Sequence, residues 1–196
     1  GALKAVHPSA PHVAGGPHIT LCHEEFLKEN ASFEYALLGE AEASLPALAR
    51  CLASGGDVSD IPGLAFRRHG AVAANPGTAV ADLDALPRPD FDAIEDFTWQ
   101  DFRYPLLTSR GCPYHCSFCS VPSISGRRFR TRSPEGCVSE LAWAKEDKGV
   151  ERFEILDDNF TLDLDRAKEF CRALVKRGLS LSWYCHNGIR ADRLDR

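Results

Sequence analysis

Three cysteines stand close together in the middle of the chain. Cys112, Cys116 and Cys119 all fall within residues 112–119, so one loop could bring three thiolates to a single metal centre. A [4Fe–4S] cluster normally takes four thiolate ligands. Three ligands from one loop would leave one iron open, and an open iron can hold a substrate or a second cofactor. The spacing therefore predicts an iron–sulfur cluster that takes part in chemistry.

Other interpretations of these cysteines are weaker. A structural zinc site needs four closed ligands, commonly two separated pairs. His115 or Cys137 could complete such a site, but the sequence contains no second Cys-x-x-Cys pair. A thioredoxin-like pair of Cys116 and Cys119 lacks a matching helix start. Disulfides are disfavoured because the other cysteines are scattered along the chain and thiols in the cytoplasm normally stay reduced.

The stretch from Ser109 to Cys119 resembles the signature of radical S-adenosylmethionine (SAM) enzymes, Cys-x-x-x-Cys-x-aromatic-Cys after a first strand. The resemblance implies that the open iron chelates the amino and carboxylate groups of SAM. It also implies that reduction of the cluster releases a 5′-deoxyadenosyl radical, with the protein positioning cofactors that carry the hard chemistry. By its position, Phe118 is implied to lie beside the adenine, and a simple packing role is the alternative.

A second candidate site is Asp157-Asp158-Asn159, where the next predicted strand ends. Many radical SAM enzymes have Gly-Gly-Glu there, which binds the methionyl amino group, and Asp-Asp-Asn-Phe resembles the version in cobalamin-linked members. A carboxylate suits a cationic ammonium. Asp157 and Asp158 are therefore predicted SAM contacts, with Asp158 preferred, although either could cap the following helix. Asn187 and Arg190 follow the third strand, where sites collect, and a surface salt bridge is the alternative for Arg190.

The second half of the chain has the scaffold that such residues need. The predicted elements are strands over 105–109, 153–156 and 181–185 and helices over 134–148 and 164–176. Ser133 is expected to cap the first helix, and Gly149 and Gly178 to end the two helices. The order is βαβαβ, the start of a parallel sheet or barrel whose loops gather at the carboxyl ends of the strands. The resemblance implies the first part of a radical SAM partial (β/α) barrel.

The front of the chain is predicted to be the carboxyl-terminal part of a doubly wound, Rossmann-like α/β domain. Its predicted elements are strands at 13–14 and 33–38, a helix over 41–53 and a hairpin of 63–67 with 71–73. Gly15-Gly16 and Gly39-Glu40 follow two consecutive strands, where glycines allow a large ligand to approach the backbone. The whole order of features resembles the B12-binding radical SAM family. This resemblance implies that Gly15, Gly16, Gly39 and Glu40 contact cobalamin, while the usual cobalt-ligating Asp-x-His-x-x-Gly would lie upstream of residue 1.

Three regions are predicted along the chain. Residues 1–86 form the partial B12-binding-like domain, 87–103 an interdomain connection, and 104–196 the N-terminal part of the radical SAM barrel. The connection is expected to be ordered, because its aromatic residues need packing partners; they are Phe91, Phe97, Trp99 and Phe102. The chain has no methionine and ends where a further element begins, so we expect a fragment that assembles a cluster but turns over poorly.

Composition and charge limit the classes of binding partner that the sequence favours. The chain is 44% hydrophobic and 26% charged with a net charge of −5, which disfavours a broad nucleic-acid or membrane-surface footprint. It contains no apolar run that could span a bilayer and no secretory signal, so the predicted location is the cytoplasm. The basic run of Arg127, Arg128, Arg130 and Arg132 is interpreted as a solvated rim, or as contacts with the cofactor's carboxylate and the neighbouring domain, in preference to an RNA site.

The function predicted from the resemblance is a cobalamin-associated radical SAM enzyme. Its expected outcome is C-methylation, cyclisation or oxidation of an unactivated carbon in a small molecule or peptide that the sequence does not identify. An external one-electron reductant such as flavodoxin or ferredoxin would be required. One alternative is a cobalamin-free radical SAM enzyme such as an RNA methylthiotransferase, whose front domain would carry cluster cysteines where only Cys22 and Cys51 lie. The other is a non-catalytic iron–sulfur or zinc-binding protein.

Overall fold

The computed structural model of the chain describes residues 2–94, 98, 102–190, 192 and 194. The chain forms two compact units: a front unit of Gly1–Val80 with Cys116–Gly126, and a sheet unit of Ala81–His115 with Arg127–Arg196. The domain boundaries predicted from the sequence, after residues 86 and 103, stay predictions. Phe97 and Trp99 of the predicted connection lie outside the described residues. Within the described ranges, the longest apolar helices are still too short or too polar to cross a membrane.

Helices and strands are interspersed along the chain, with four successive strands, β3 to β6, in its middle. In order they are α1 (Ala2–Val6), β1 (Val13–Ala14), α2 (Pro17–Glu29), β2 (Tyr35–Leu37), α3 (Ser44–Ser54), β3 (Leu64–Arg68), β4 (Ala71–Ala74), β5 (Tyr104–Leu106), β6 (Ser109–Arg110), α4 (Val121–Ile124), β7 (Arg130–Thr131), α5 (Pro134–Lys148), β8 (Arg152–Ile155), a 3₁₀ turn (Phe160–Leu162), α6 (Leu164–Arg177) and β9 (Ser182–Cys185).

The front unit contains a four-stranded mixed sheet in the order β1-β2-β3-β4. β1 and β2 are parallel and are joined through α2, while β3 and β4 form the predicted antiparallel hairpin. Helix α2 was not predicted, because only Ile19 and Leu27 of its residues are buried and its apolar periodicity is weak. The prediction of an α/β unit is confirmed. Its sheet is mixed, because β3 pairs antiparallel with β2, and so differs from the purely parallel sheet of a doubly wound domain.

Helices cover both faces of this mixed sheet. Leu37 and Leu64 pack with Leu48 of α3 in one buried cluster. Ala36 and Ala65, their neighbours on the strands, pack with Ile19 and Leu27 of α2 in another. Successive strand residues point to opposite faces, so each strand supplies both clusters. Two-sided coverage explains why the strands read as apolar runs without clean alternation.

The sheet unit confirms the predicted βαβαβ order. Its three strands lie in the order β5-β8-β9, all parallel, and Tyr104 pairs with Phe153, which pairs with Trp183. Helices α5 and α6 both pack on the face that carries Tyr104 and Phe153, and Phe91 of the preceding segment contacts Tyr104 with ring centroids 6.0 Å apart. The opposite face of the sheet is therefore free of these two helices.

Helix ends follow the predicted caps. The Ser133 hydroxyl accepts a hydrogen bond from Gly136 N at 3.0 Å, and Gly149 closes α5 with a φ of 68°. Gly178 closes α6 with a φ of 70°. The cap of α6 is Asp163, whose carboxylate accepts from Arg166 N at 3.1 Å. The alternative that an aspartate of the Asp-Asp-Asn motif caps this helix is therefore wrong.

A short ribbon closes the cysteine-bearing segment. β6 pairs antiparallel with β7, Ser109 opposite Thr131 and Arg110 opposite Arg130. Residues 111–129 thus leave and return to the sheet unit at one place. The ribbon was not predicted, since strands of two residues are too short to show an apolar period.

Candidate metal centre and cofactor sites

The cysteine stretch, residues 111–119, has little regular structure. Cys112 is half-buried, whereas Cys116 and Cys119 are exposed, and all three are free thiols. A turn is closed by the hydrogen bond from Cys119 N to Cys116 O at 3.1 Å. Phe118 is 91% exposed. A side chain so exposed is not part of a described apolar core, so the packing alternative for Phe118 has no support.

Asp157 lies at the opposite extreme of exposure. It is fully buried, and its carboxylate accepts hydrogen bonds from Thr108 N at 2.6 Å, from Ser109 Oγ at 2.6 Å and from the Thr108 hydroxyl. Arg166, 7% exposed, donates from its guanidinium to Thr108 O. A buried carboxylate is costly unless hydrogen-bonded. These bonds compensate Asp157 and hold the strand-end residues just before the cysteine stretch.

Asp158 occupies a different position one residue later. It is half-buried, and its Oδ2 accepts a hydrogen bond from Gly111 N at 3.2 Å. Gly111 immediately precedes Cys112, so this carboxylate lies beside the start of the cysteine stretch. Of the two predicted aspartates, the structure therefore places Asp158 at the accessible edge and Asp157 beneath it.

Two further residues lie at this edge: Asn159, which the predicted motif contains without a role of its own, and Gly188, which the sequence did not single out. Asn159 is 7% exposed, and its Oδ1 is buried without a hydrogen-bond partner among the described residues. Gly188 approaches it so closely that an added Cβ would lie 2.4 Å from Asp158 O and 3.2 Å from Asn159 Cα. Gly188 O also accepts from Phe160 N at 2.9 Å. The loops after β8 and β9 are thus in direct backbone contact.

The two predicted SAM residues of the loop after β9 are both engaged. The Asn187 side-chain amide donates to Leu156 O at 3.1 Å. Arg190 N donates to Thr161 Oγ1 at 2.8 Å, and its guanidinium pairs with Asp192 at 2.6 Å. The salt-bridge alternative for Arg190 is confirmed by that pair. The hydrogen bond to Asp192 outweighs the effect of burial and raises the pKa of Arg190.

The face of the sheet opposite the helices carries several polar side chains. Pro105, Glu154 and Tyr184 are register neighbours on β5, β8 and β9. His186 Nε2 lies 3.3 Å from Glu154 Oε2, and its ring stacks on Tyr184 with centroids 5.8 Å apart. The Arg103 guanidinium lies over Tyr184 at 4.2 Å. In a parallel (β/α) barrel the face away from the helices is the interior, and none of these residues was singled out from the sequence.

Part of the basic run is buried, which corrects its interpretation as a solvated rim. Arg130 is 6% exposed, and Arg132 forms an ion pair with the buried Glu140 at 2.7 Å. Glu140 also accepts a hydrogen bond from the Tyr104 hydroxyl at 2.7 Å. Burial first, and then this carboxylate, raise the pKa of Tyr104. Charge alone could not separate these structural arginines from the exposed Arg127.

In the front unit one threonine forms hydrogen bonds to both glycine-containing loops, Gly15-Gly16 and Gly39-Glu40. The hydroxyl of Thr20 donates to Gly16 O at 3.0 Å and accepts from Gly39 N at 2.9 Å. Glu40 Oε2 accepts from Val80 N at 2.7 Å. Thr20, Gly39 and Glu40 line a cavity of about 390 Å³ that residues 122–126 also border. Gly16 lies at the start of α2 and does not line it.

Comparison with known proteins identifies the family. Residues 106–196 match the model of the radical SAM superfamily. The chain is 32% identical over 184 residues to an uncharacterised methyltransferase of Pyrococcus horikoshii, covering 92% of this chain and 40% of that protein. It is 30% identical over 184 residues to the cobalamin-dependent radical SAM methyltransferase TokK of Streptomyces tokunonensis, covering 89% of this chain and 27% of TokK. Residues 106–196 therefore match the radical SAM superfamily, and the chain as a whole is similar to cobalamin-dependent radical SAM enzymes.

A solved structure agrees with this family at the level of the fold. The chain superposes with a TM-score of 0.78 on the cobalamin-dependent S-adenosylmethionine radical enzyme OxsB with aqua-cobalamin and SAM bound, at 22% identity over 93% of this chain and 27% of OxsB. The mixed α/β architecture is therefore that of cobalamin-dependent radical SAM enzymes. Because the chain spans well under half the length of these relatives, the activity of a whole family member is a proposal for it.

The thiols fit the cluster of this radical SAM family by their chemistry. Thiolate sulfurs are the ligands of iron–sulfur clusters. The thiols of Cys116 and Cys119 are exposed, and that of Cys112 is half-buried. Across the part of the chain that the structure describes, no three His, Cys, Asp or Glu side chains are gathered closely enough to hold a metal ion. The ligand assignment therefore rests on donor type and on the short stretch that carries all three thiols.

Proposed function

We propose that this chain carries the cofactor-binding part of a radical SAM enzyme whose cluster ligands are Cys112, Cys116 and Cys119. The observation that supports it most is the position of these thiols in the connection that follows β5, the first strand of a parallel βαβαβ sheet, after the short strand β6. Loops at the carboxyl ends of such strands are where this architecture places its sites. These thiolates would hold a [4Fe–4S] cluster, which would supply the electron for reductive cleavage of SAM and so start hydrogen abstraction from an unactivated carbon.

The residues beside the cysteine stretch would bind SAM. Asp158 offers a carboxylate to the methionyl ammonium, an arrangement that favours a charge-assisted hydrogen bond. The buried, unpartnered Oδ1 of Asn159 is a second acceptor at the same edge. Phe118 offers an exposed ring face to the adenine. Asp157, which the sequence also indicated, contributes by holding Thr108 and the strand end in place.

The front unit would bind part of a cobalamin. A cavity of about 390 Å³ is far smaller than a whole corrinoid, and it suits one arm of such a ligand. Gly39 and Glu40 line it, and Gly15 and Gly16 immediately precede α2, the helix that carries Thr20. Glycines at these positions let the ligand approach the backbone closely. The name of TokK, a cobalamin-dependent methyltransferase, supports the same assignment.

The reaction of the whole protein is proposed to be C-methylation, cyclisation or oxidation of an unactivated carbon of a small molecule or peptide. An external one-electron reductant such as flavodoxin or ferredoxin would deliver electrons. The polar side chains of Glu154, Tyr184 and His186 face the side of the sheet where a substrate would lie. We place the enzyme in the cytoplasm, where such reductants and reduced thiols are found.

The first test is spectroscopic. The chain is purified without oxygen, its cluster is rebuilt with iron and sulfide, and the paramagnetic resonance spectrum of the reduced protein is recorded with and without SAM. The proposal expects a [4Fe–4S] signal that SAM shifts and that is absent in Cys116→Ala. Cys171→Ser, at a half-buried thiol of α6, should match the unchanged chain. A single bound zinc, or a cluster indifferent to SAM, would contradict the proposal.

Cobalamin binding has its own matched pair of variants. Ala79 is an exposed residue of the cavity and Ala74 is an exposed residue of β4 outside it. Ala79→Trp should fill the cavity and weaken binding of hydroxocobalamin at least tenfold in an absorbance titration, whereas Ala74→Trp should not. Equal affinities of the two variants would place cobalamin elsewhere.

A further inference from the structure

We propose that Arg190 is a positioning residue, which holds the cysteine stretch through Tyr114, and that it is not a ligand of SAM. The proposal rests on the proposed function and deepens it. The Arg190 guanidinium lies over the Tyr114 ring, 4.6 Å from its centroid. Tyr114 stands between Cys112 and Cys116, so a shift of its backbone changes the separation of two proposed cluster ligands.

The guanidinium uses its edge and its face for different partners. Nε and Nη2 of Arg190 donate to the two carboxylate oxygens of Asp192 at 2.9 and 2.6 Å. That pairing occupies the edge of the planar group and leaves its face to the ring of Tyr114. A SAM carboxylate would find the bidentate edge formed by Nε and Nη2 already occupied by Asp192. The contacts of Arg190 therefore favour a role in holding Tyr114.

Tyr114 is also held at its backbone. Its carbonyl oxygen accepts a hydrogen bond from Arg127 Nη1 at 3.2 Å. Tyr114 is half-buried, whereas the flanking Pro113 and His115 are exposed. It is thus a fixed point within a stretch whose other side chains mostly face solvent.

The contact connects the cysteine stretch to both neighbouring loops of the sheet edge. Arg190 N donates to Thr161 Oγ1 in the loop after β8. On the other side of Cys112, Gly111 N donates to Asp158. Cys112 therefore lies between two tied residues, Gly111 and Tyr114. These ties would set where the open iron lies relative to the Asp158 carboxylate that is proposed to bind the same SAM molecule.

The test compares four variants with the unchanged chain. Tyr114→Leu removes the ring, Tyr114→Phe keeps it, Arg190→Lys removes the planar group, and the double variant combines Tyr114→Leu with Arg190→Lys. Arg172→Lys, at an exposed arginine of α6, is the control. The measurements are the rate of iron release to a chelator, the SAM concentration that half-shifts the resonance signal, and the rate at which Cys112 is alkylated by iodoacetamide in the cluster-free chain.

The proposal expects Tyr114→Leu and Arg190→Lys to release iron about fivefold faster, as loss of one cation–π contact implies. Both should raise the half-shifting SAM concentration to a similar extent, and the double variant should be no worse than either, because the two residues act through one contact. Arg172→Lys should behave like the unchanged chain. Tyr114→Phe keeps the ring but loses the hydroxyl that interacts with Arg190, so it should lie between the unchanged chain and Tyr114→Leu. Alkylation of Cys112 should quicken in the same order without any cluster, so a chain that binds no cluster refutes the proposed function but still tests this contact.

The contrary result is equally specific. If Arg190 binds SAM, Arg190→Lys raises the half-shifting SAM concentration tenfold or more while iron release and alkylation stay unchanged. Tyr114→Leu then has no effect, or the effects of the two variants add. Either pattern overturns the proposal.

Discussion

The start of the cysteine stretch meets the loop that follows β8 through the hydrogen bond from Gly111 to Asp158, yet the two segments differ sharply in side-chain exposure. Cys116, Cys119 and Phe118 of the cysteine stretch are exposed. In the loop of residues 157–161, here called the aspartate loop, Asp157 is fully buried and Thr161 is 4% exposed. Asp157 accepts hydrogen bonds from Thr108 and Ser109, whereas no hydrogen bond to the three thiols is found among the residues that the structure describes.

This difference separates a frame from the ligands that it positions. A carboxylate can be buried only where donors compensate its desolvation, so Asp157 with Thr108 and Ser109 forms a fixed base. Thiols that are to bind a metal need no compensation from the protein, because the metal supplies it when bound. The aspartate loop should therefore govern the stability of the chain and the cysteine stretch its cofactor chemistry.

The largest expected effect separates the two adjacent aspartates. Asp157→Ala leaves Thr108 N buried without a partner and removes two hydroxyl contacts. The loss in free energy of unfolding should be roughly 3–5 kcal/mol, measured by urea denaturation of the cluster-free chain and followed by circular dichroism. Asp158→Ala breaks a longer bond at a half-buried position and should cost about 1 kcal/mol.

Cofactor binding should respond in the reverse order. Asp158→Asn should raise the SAM concentration that half-shifts the resonance signal about tenfold, since one charge-assisted contact is lost, while leaving the urea midpoint nearly unchanged. Equal stability losses for Asp157→Ala and Asp158→Ala would remove the distinction between frame and ligand.

Much of this distinction was accessible from the sequence, but only along the strand. In β8 Phe153 and Ile155 point to the helices, and Glu154 points to the open face. Extending that alternation by one step places Asp157 on the buried side and Asp158 on the accessible side. The Asp-Asp-Asn motif taken by itself gives only a preference for Asp158 over Asp157, because it does not show which side chain is buried.

Caps and apolar periods predicted the sheet unit well, because each helix there begins and ends at residues with strong local preferences, such as Ser133 and Gly178. Contacts between distant segments were beyond such reasoning. The hydrogen bond of Asp158 to Gly111 and the close approach of Gly188 join loops that are far apart in the chain. No local pattern marks them, and only the fold brings them together.

A smaller effect is expected where the two loops after β8 and β9 touch. Gly188→Ala would place a Cβ 2.4 Å from Asp158 O, with no flexible side chain to move aside. We expect a loss of about 1–3 kcal/mol, typical of overpacking, together with weaker SAM binding as Asp158 shifts. The same assays as for the aspartates measure both.

The matched control is Gly15→Ala in the front unit. An added Cβ there meets its nearest neighbour, Leu37 O, at 3.8 Å, an ordinary contact. The expected change in unfolding free energy is within about 0.5 kcal/mol. A stable Gly188→Ala chain with unaltered SAM binding would show that the aspartate loop yields readily and is not a rigid frame.

The smallest expected effect compares a buried thiol with an exposed one. Burial, the main cause, raises the pKa of Cys137 to about 12 from an ordinary 9.0. Above pH 9 the unfolded chain loses this proton while the folded chain keeps it, so the unfolded state binds fewer protons and stability falls as pH rises toward 12. Between pH 8 and 10 the unchanged chain should lose about 1 kcal/mol more than Cys137→Ala.

Urea midpoints of the cluster-free, reduced chain at the two pH values measure this difference. Cys116→Ala, at an exposed thiol, is the matched control substitution. Burial also raises the pKa of Cys171 and Cys185, but both thiols are present in all three proteins and cancel from the comparison. If Cys137→Ala lost as much stability as the unchanged chain, Cys137 would titrate like a solvent-exposed thiol. Water would then reach the interface between α5 and the sheet, although Cys137 is fully buried there.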